Sequence, residues 1–150
     1  MITRIAKLLL LAGVAFFYSL VVFNNLTDFN SNYQLVRHVL MMDTTFPGNH
    51  GMWRALTSST ADNSFYVAII VWEIVTAILL WWGCLALGRA IGRPAMSFEA
   101  AKRVPVIALT LSLLMWQSRA WNGQETAFRD FTMVGIVLLI FIIPERDVQP

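Results

Sequence analysis

Residues 65–88 run for 24 positions with a single charged side chain, Glu73, and follow Asp62, Asn63 and Ser64, which are natural N-caps. A run this long and this apolar reads as a helix crossing a membrane, where the backbone must satisfy its own hydrogen bonds. A second run, about residues 5–26, is interrupted only by Lys7 and Ser19 before Asn24 and Asn25. Composition agrees with both runs, since 57% of residues are hydrophobic and 13% charged, about half the charged share of a soluble domain. A net charge of +2 leaves no dense basic surface, which excludes nucleic-acid binding.

Two further spans complete the expected architecture. The third covers about residues 104–121, with Pro105 in its first turn, where the missing N–H costs little. The fourth has only thirteen unbroken apolar residues, 131–143. It crosses if it begins near Gln124, after the Asn122-Gly123 turn signal, and Pro144 stops it, giving about residues 124–143. The alternative is a peripheral helix lying in the interface. Arg4 and Lys7 ahead of the first run fit a signal peptide too, but no Ala-x-Ala-like site follows, so a retained anchor is expected. The expected fold is all-α: one membrane domain over residues 1–150, a four-helix transmembrane bundle with a helical periplasmic cap in its first loop.

Orientation follows from Lys and Arg near the span ends. Arg4, Lys7, Arg89, Arg93, Lys102, Arg103 and Arg146 fall on one side, seven against the four of Arg37, Arg54, Arg119 and Arg129. Both termini are therefore expected in the cytoplasm, in a bacterial inner membrane. The first loop, residues 27–64, is long enough to be structured. Ser31 with Gln34 forms a capping-box pair, and Tyr33, Val36, Val39 and Leu40 recur at helical spacing. Met52, Trp53 and Leu56 with Arg54 predict a second short helix at headgroup level.

The polar residues inside the spans are the functional candidates, because each is costly there. Counting rise per residue puts Glu73 about 12 Å and Arg119 about 8 Å below the outer boundary, close enough for an ion pair. Gln117, Glu125, Arg129 and Asp130 join them in the same outer layer, with Asn24 and Asn25. The inner halves, including residues 77–88 and 135–143, carry no charge, so a through-membrane path for a transporter or channel lacks support. Either a structural pair between helices or an outward-opening pocket accounts for Glu73 and Arg119.

Other chemistry is sparse. His38 and His50 with Asp43 are a weak metal set, more in keeping with separate hydrogen-bonding histidines, and no metal is expected. No span carries a His for haem, and the common phosphate-loop, hydrolase and redox motifs are absent, so no cofactor is expected. Cys84, the only cysteine, sits among Trp81, Trp82 and Leu85 as a packing residue.

The strings His38-Val39-Leu40-Met41-Met42-Asp43-Thr44-Thr45-Phe46-Pro47, Trp53-Arg54, Trp116-Gln117-Ser118, Trp121-Asn122-Gly123-Gln124 and Ala127-Phe128-Arg129 resemble a bacterial family of predicted small integral membrane proteins of unknown function. The resemblance covers nearly the whole chain and implies four helices in an inner membrane, with no activity or catalytic residue to carry over. The leading expectation is a non-enzymatic accessory or binding protein whose outer polar cluster docks a partner protein, a lipid headgroup or a quinone-like ligand. A membrane enzyme acting on a lipid or quinone at the periplasmic interface is the alternative, with Glu73 or Asp43 as acid/base and Arg54 or Arg119 as clamp. A small transporter ranks third. Expected partners are membrane lipids and either a partner membrane protein or a second copy.

Overall fold

The computed structural model describes residues 1–43, 46, 48–118 and 124–145, with the side chains of 116–118 and 124–127 left aside. Among the described residues six α-helices follow in order: α1 Ile2–Thr27, α2 Phe29–Met41, α3 Ser59–Ala90, α4 Ala95–Ala101, α5 Arg103–Ser118 and α6 Gln124–Ile142. The described residues contain no strand. α1 and α3 are long and apolar enough to cross a membrane. At 1.5 Å per residue, the 32 residues of α3 reach about 48 Å, well beyond a hydrocarbon core of about 30 Å.

α3 packs along both α1 and α5; α6 packs along α5 and, less extensively, α1. The helices bury stripes at helical spacing, as their sequences dictate. On α3 the stripe is Asp62, Tyr66, Ile70, Glu73, Ala77, Leu80, Cys84 and Leu87, and on α1 it is Lys7, Leu11, Val14, Tyr18 and Asn25. Leu109, Val134 and Phe141 close the apolar centre from α5 and α6. The outward faces are also apolar: Phe16, Val71, Ile78, Trp82, Leu85, Ile107 and Leu139 are exposed. A soluble protein places polar side chains there, whereas lipid-facing helices do not need to.

Gly83 is where three helices meet. A Cβ there would stand 2.9 Å from Pro105 Cγ and 3.3 Å from Leu11 Cδ2, so the absent side chain sets how closely α1, α3 and α5 approach. Tyr18 and Ser112 link α1 to α5 at mid-height, the Ser112 hydroxyl donating to Tyr18 Oη at 2.7 Å.

α1 and α6 match their expected spans to within three residues, and Pro105 sits in the first turn of α5 as anticipated. Three local readings need correction. α3 begins at Ser59 rather than near 65, because Ser58 is the N-cap, its Oγ accepting from Ala61 N at 3.4 Å. Asp62, Asn63 and Ser64 are thus inside the helix and cap nothing. Ser31 and Gln34 likewise lie inside α2, which starts at Phe29 directly after the bend at Asp28. The Met52, Trp53 and Arg54 cluster forms a 3-10 turn rather than an α-helix, and Leu56 N–H donates to Leu40 O at 2.9 Å, tying this segment to the end of α2. α4 has no counterpart in the sequence reading. Its residues Ala95–Ala101 follow Pro94 and bury Ala95 and Phe98.

Candidate functional site

The helices place polar groups at both ends of the molecule, and the two ends differ. At the end holding the N-terminus of α1 and the C-terminus of α6, here the terminal end, Lys7 and Lys102 are each 5% exposed. Lys7 Nζ donates to Glu145 Oε1 at 2.7 Å and to Ile143 O at 3.0 Å. Lys102 Nζ donates to the same carbonyl at 3.1 Å and pairs with Glu99 Oε1 at 2.8 Å. Glu99 Oε1 in turn accepts from Glu145 N at 2.7 Å. Two ammonium groups therefore cap the carbonyl end of α6, where the helix dipole favours positive charge.

Arg4 completes this clasp. Its Nε lies 3.7 Å from Glu145 Oε2, its Nη1 donates to Arg93 O at 2.6 Å and to Ile91 O at 3.2 Å, and its guanidinium stacks 4.9 Å from the Phe98 ring. Burial pushes the Glu145 carboxyl up, yet the Lys7 hydrogen bond and the charges of Lys7, Arg4 and Lys102 outweigh it and hold it below its ordinary value. The sequence reading treated these basic residues only as topology markers and missed the clasp. Its members come from positions 4 to 145, and only Glu99 and Lys102, three residues apart, are linked by a local spacing.

At the opposite end, here the loop end, α3 turns Asp62, Tyr66 and Glu73 inward. Glu73 is buried and accepts from Asn25 Nδ2 at 2.6 Å. The Tyr66 hydroxyl donates to Asn25 Oδ1 at 3.3 Å and to Asn25 O at 3.4 Å. With its oxygen toward Tyr66 and its nitrogen toward Glu73, the Asn25 amide satisfies both neighbours, which fixes its orientation. α2 covers this chain of groups. Val36 packs on Tyr66 and Ile70, and the Phe29 ring meets the Tyr66 ring edge-on at 4.9 Å.

One turn above Tyr66, Asp62 is 1% exposed and neither carboxylate oxygen has a hydrogen-bond partner. On α2, the residue after Val36 is Arg37, whose buried Nε also lacks a partner. Asp62 and Tyr66 did not figure among the expected site residues, although their spacing of eleven and seven from Glu73 puts all three on one helix face.

The remaining candidates divide. Asp130 is buried on the α6 stripe with Val134, Val137 and Phe141, and the Nε of the exposed Arg129 lies 3.6 Å from Asp130 Oδ1. Gln117 and Glu125 lie on α5 and α6, but their side chains, like all of Arg119, fall outside the described residues. His38 and Asp43 come together, Nδ1 to Oδ2 at 2.6 Å, because Met42 turns the chain back with φ +53°. Trp53 is exposed, and Arg54 folds onto Gly51, its Nε donating to Gly51 O at 3.4 Å. Among the described residues no three His, Cys, Asp or Glu side chains converge as a metal site.

Beside the polar layer, α3 and α5 border an open groove of about 660 Å³. Asn63 and Ser64 form its loop-end lip, Val67, Val71, Val75 and Leu111 its walls, and Thr76 its far end. Trp72 lines it too and donates through Nε1 to Leu111 O at 3.2 Å. Asn63 to Thr76 is thirteen residues of helix, about 20 Å, close to the depth of one leaflet.

No curated protein and no solved structure matches the chain. A family model does, over residues 3–114 and 112–144, and its description is that of a predicted small integral membrane protein. With the exposed apolar belt and the two long apolar helices, that match across almost the full length assigns the chain to the family of predicted small integral membrane proteins, DUF2165.

Proposed function

We propose that the protein is a non-enzymatic binding protein of the bacterial inner membrane that holds a membrane amphiphile at its loop end, with the chain of the ligand along the α3–α5 groove. α1, α3, α5 and α6 span as a four-helix transmembrane bundle, α2 and the Met52–Arg54 turn cap it on the periplasmic side, and both termini are cytoplasmic. The excess of Lys and Arg near the terminal-end connections supports this orientation. In this reading Glu73 belongs to the polar layer of the loop end, with Arg129 and Asp130 at the same end of α6.

The observation that carries the reading is the groove itself. It has mostly apolar walls, a lip of Asn63 and Ser64 at the loop end, and a length of the order of an acyl chain. Val71→Trp fills it from one wall without touching the buried stripe. Native mass spectrometry of the full chain released from its own membrane is expected to show one retained lipid or quinone on the wild type and loss of it in Val71→Trp. Equal retention by both sinks the proposal.

A second reading, a membrane enzyme at the same end, is favoured by the His38–Asp43 contact. A carboxylate on Nδ1 holds an exposed imidazole with Nε2 free to take a proton from a substrate hydroxyl or water. Turnover of an added lipid or quinone that disappears in His38→Gln, with binding intact, replaces the first reading by this one.

A further inference from the structure

α3 borders a second groove, of about 690 Å³, on its α1 side. Val22, Phe23 and Leu26 of α1 line it with Ile78, Trp82 and Leu85 of α3. Trp81 Nε1 donates to Ser19 Oγ at 3.0 Å, and that hydroxyl donates to Ala15 O at 2.9 Å, so the polar side-chain atoms in the lining are already satisfied. What remains is apolar surface, fitted to a hydrocarbon chain. Ile74 to Leu85 is eleven residues of helix, about 16 Å, the depth of one leaflet. With α3 centred on a hydrocarbon core of about 30 Å, Leu85 falls at the terminal-end boundary and Arg89 about 7 Å beyond it, at phosphate depth.

Arg89 continues the face of the groove, since Ile78, Trp82, Leu85 and Arg89 recur at steps of four, three and four. Long side chains on a helix lean toward its N-terminus, which carries Arg89 back over Leu85 at the mouth. A Cβ on Gly88, beside it, would meet nothing within 4 Å, so the mouth is open. Arg89 is exposed and, among the described residues, pairs with no carboxylate. We infer that the α1–α3 groove is a site for an anionic phospholipid of the terminal-end leaflet, of the phosphatidylglycerol type. One acyl chain lies in the groove, and the Arg89 guanidinium donates to the phosphodiester oxygens. The headgroup follows from the charges around it. Arg93 and Arg103 are exposed at the same end, while Glu99 and Glu145 are held by Lys102 and Lys7. A choline or ethanolamine cation therefore meets like charge and no free carboxylate among the described residues, whereas a net negative headgroup meets only attraction. This site lies in the leaflet opposite the α3–α5 groove and does not depend on it.

The test uses the full chain carrying Val71→Trp, which fills the loop-end groove, so that retained lipid reports on the α1–α3 groove. The protein in mild detergent is offered equal amounts of dioleoyl phosphatidylglycerol and dioleoyl phosphatidylcholine, and bound lipid is read by native mass spectrometry. The glycerol lipid is expected to be retained about fivefold over the choline lipid, the size of one basic side chain at an anionic surface. Adding Arg89→Gln should erase that ratio, and Arg89→Lys should keep most of it. Arg103→Gln, on a helix that lends the groove no residue, should leave it in place. Ile78→Trp, at an exposed position in the wall, should release both lipids. Equal retention of the two lipids with Arg89 intact, or an unchanged ratio in Arg89→Gln, overturns the inference. So does an equal fall in Arg89→Gln and Arg103→Gln, which assigns the preference to the basic surface as a whole, and so does lipid retention that Ile78→Trp leaves intact.

Discussion

The terminal end and the loop end are built from the same kinds of residue and are finished differently. At the terminal end, Lys7, Lys102, Glu99 and Glu145 close on one another and on the Ile143 carbonyl, and Arg4 binds the chain after α3. At the loop end, Asn25, Tyr66 and Glu73 form a bonded chain, but Asp62 and Arg37 keep buried atoms without partners. Charges that satisfy one another hold helices together. A buried carboxylate with no partner on either oxygen, as at Asp62, stabilises little by itself. The protein thus separates its buried structural ions from its buried candidate functional ones by the length of a helix.

Mutations that break this contrast should differ in size and in sign. The largest loss belongs to Lys7→Met, which leaves Glu145 without its closest cation and should cost about 3 kcal/mol, measured as thermal or denaturant unfolding in detergent. Gly83→Ala follows at about 2 kcal/mol, because the new methyl meets the Pro105 ring and α1, α3 and α5 must separate. Asn25→Leu should cost about 1 to 2 kcal/mol by removing the group that serves both Tyr66 and Glu73.

Acid provides a finer separation of the two ends. The Glu145 carboxyl lies below its ordinary value of 4.5 in the fold, so its pairing stabilises the protein fully above that pH and is lost as pH falls through the lower, folded value. Melting temperature in detergent should therefore drop below about pH 4.5. In Glu145→Gln the same profile should be flatter; an unchanged slope would mean that another group drives the acid response.

The sequence made the long elements legible for a simple reason. Long apolar helices are specified by hydropathy over twenty or so residues, and α1 and α3 needed no tertiary information to be found. The ends of helices needed more. Asp62 reads as a cap until Ser58 is seen to hold that role, and Met42 gives no sequence sign that it will adopt a positive φ and swing Asp43 to His38. The family resemblance seen in the strings around His38 and Trp121 agrees with the family match over residues 3–144, but that family brings a location and no chemistry. Glu73 and Asn25 were found by their depth, and Tyr66, seven residues before Glu73 on α3, was within reach of helical spacing. The terminal-end clasp was not, since Lys7 and Glu145 lie 138 positions apart and meet only when α1 and α6 pack.

The contrast between the two ends is tested most directly by unfolding Lys7→Met and Asp62→Asn side by side in the same detergent. Asp62→Asn removes a buried charge without a partner and is expected to leave stability within about 0.5 kcal/mol of wild type or to raise it, while Lys7→Met unfolds well before either. If Asp62→Asn loses as much stability as Lys7→Met, then Asp62 is a structural ion like the others, and the loop end has no charge to offer a ligand.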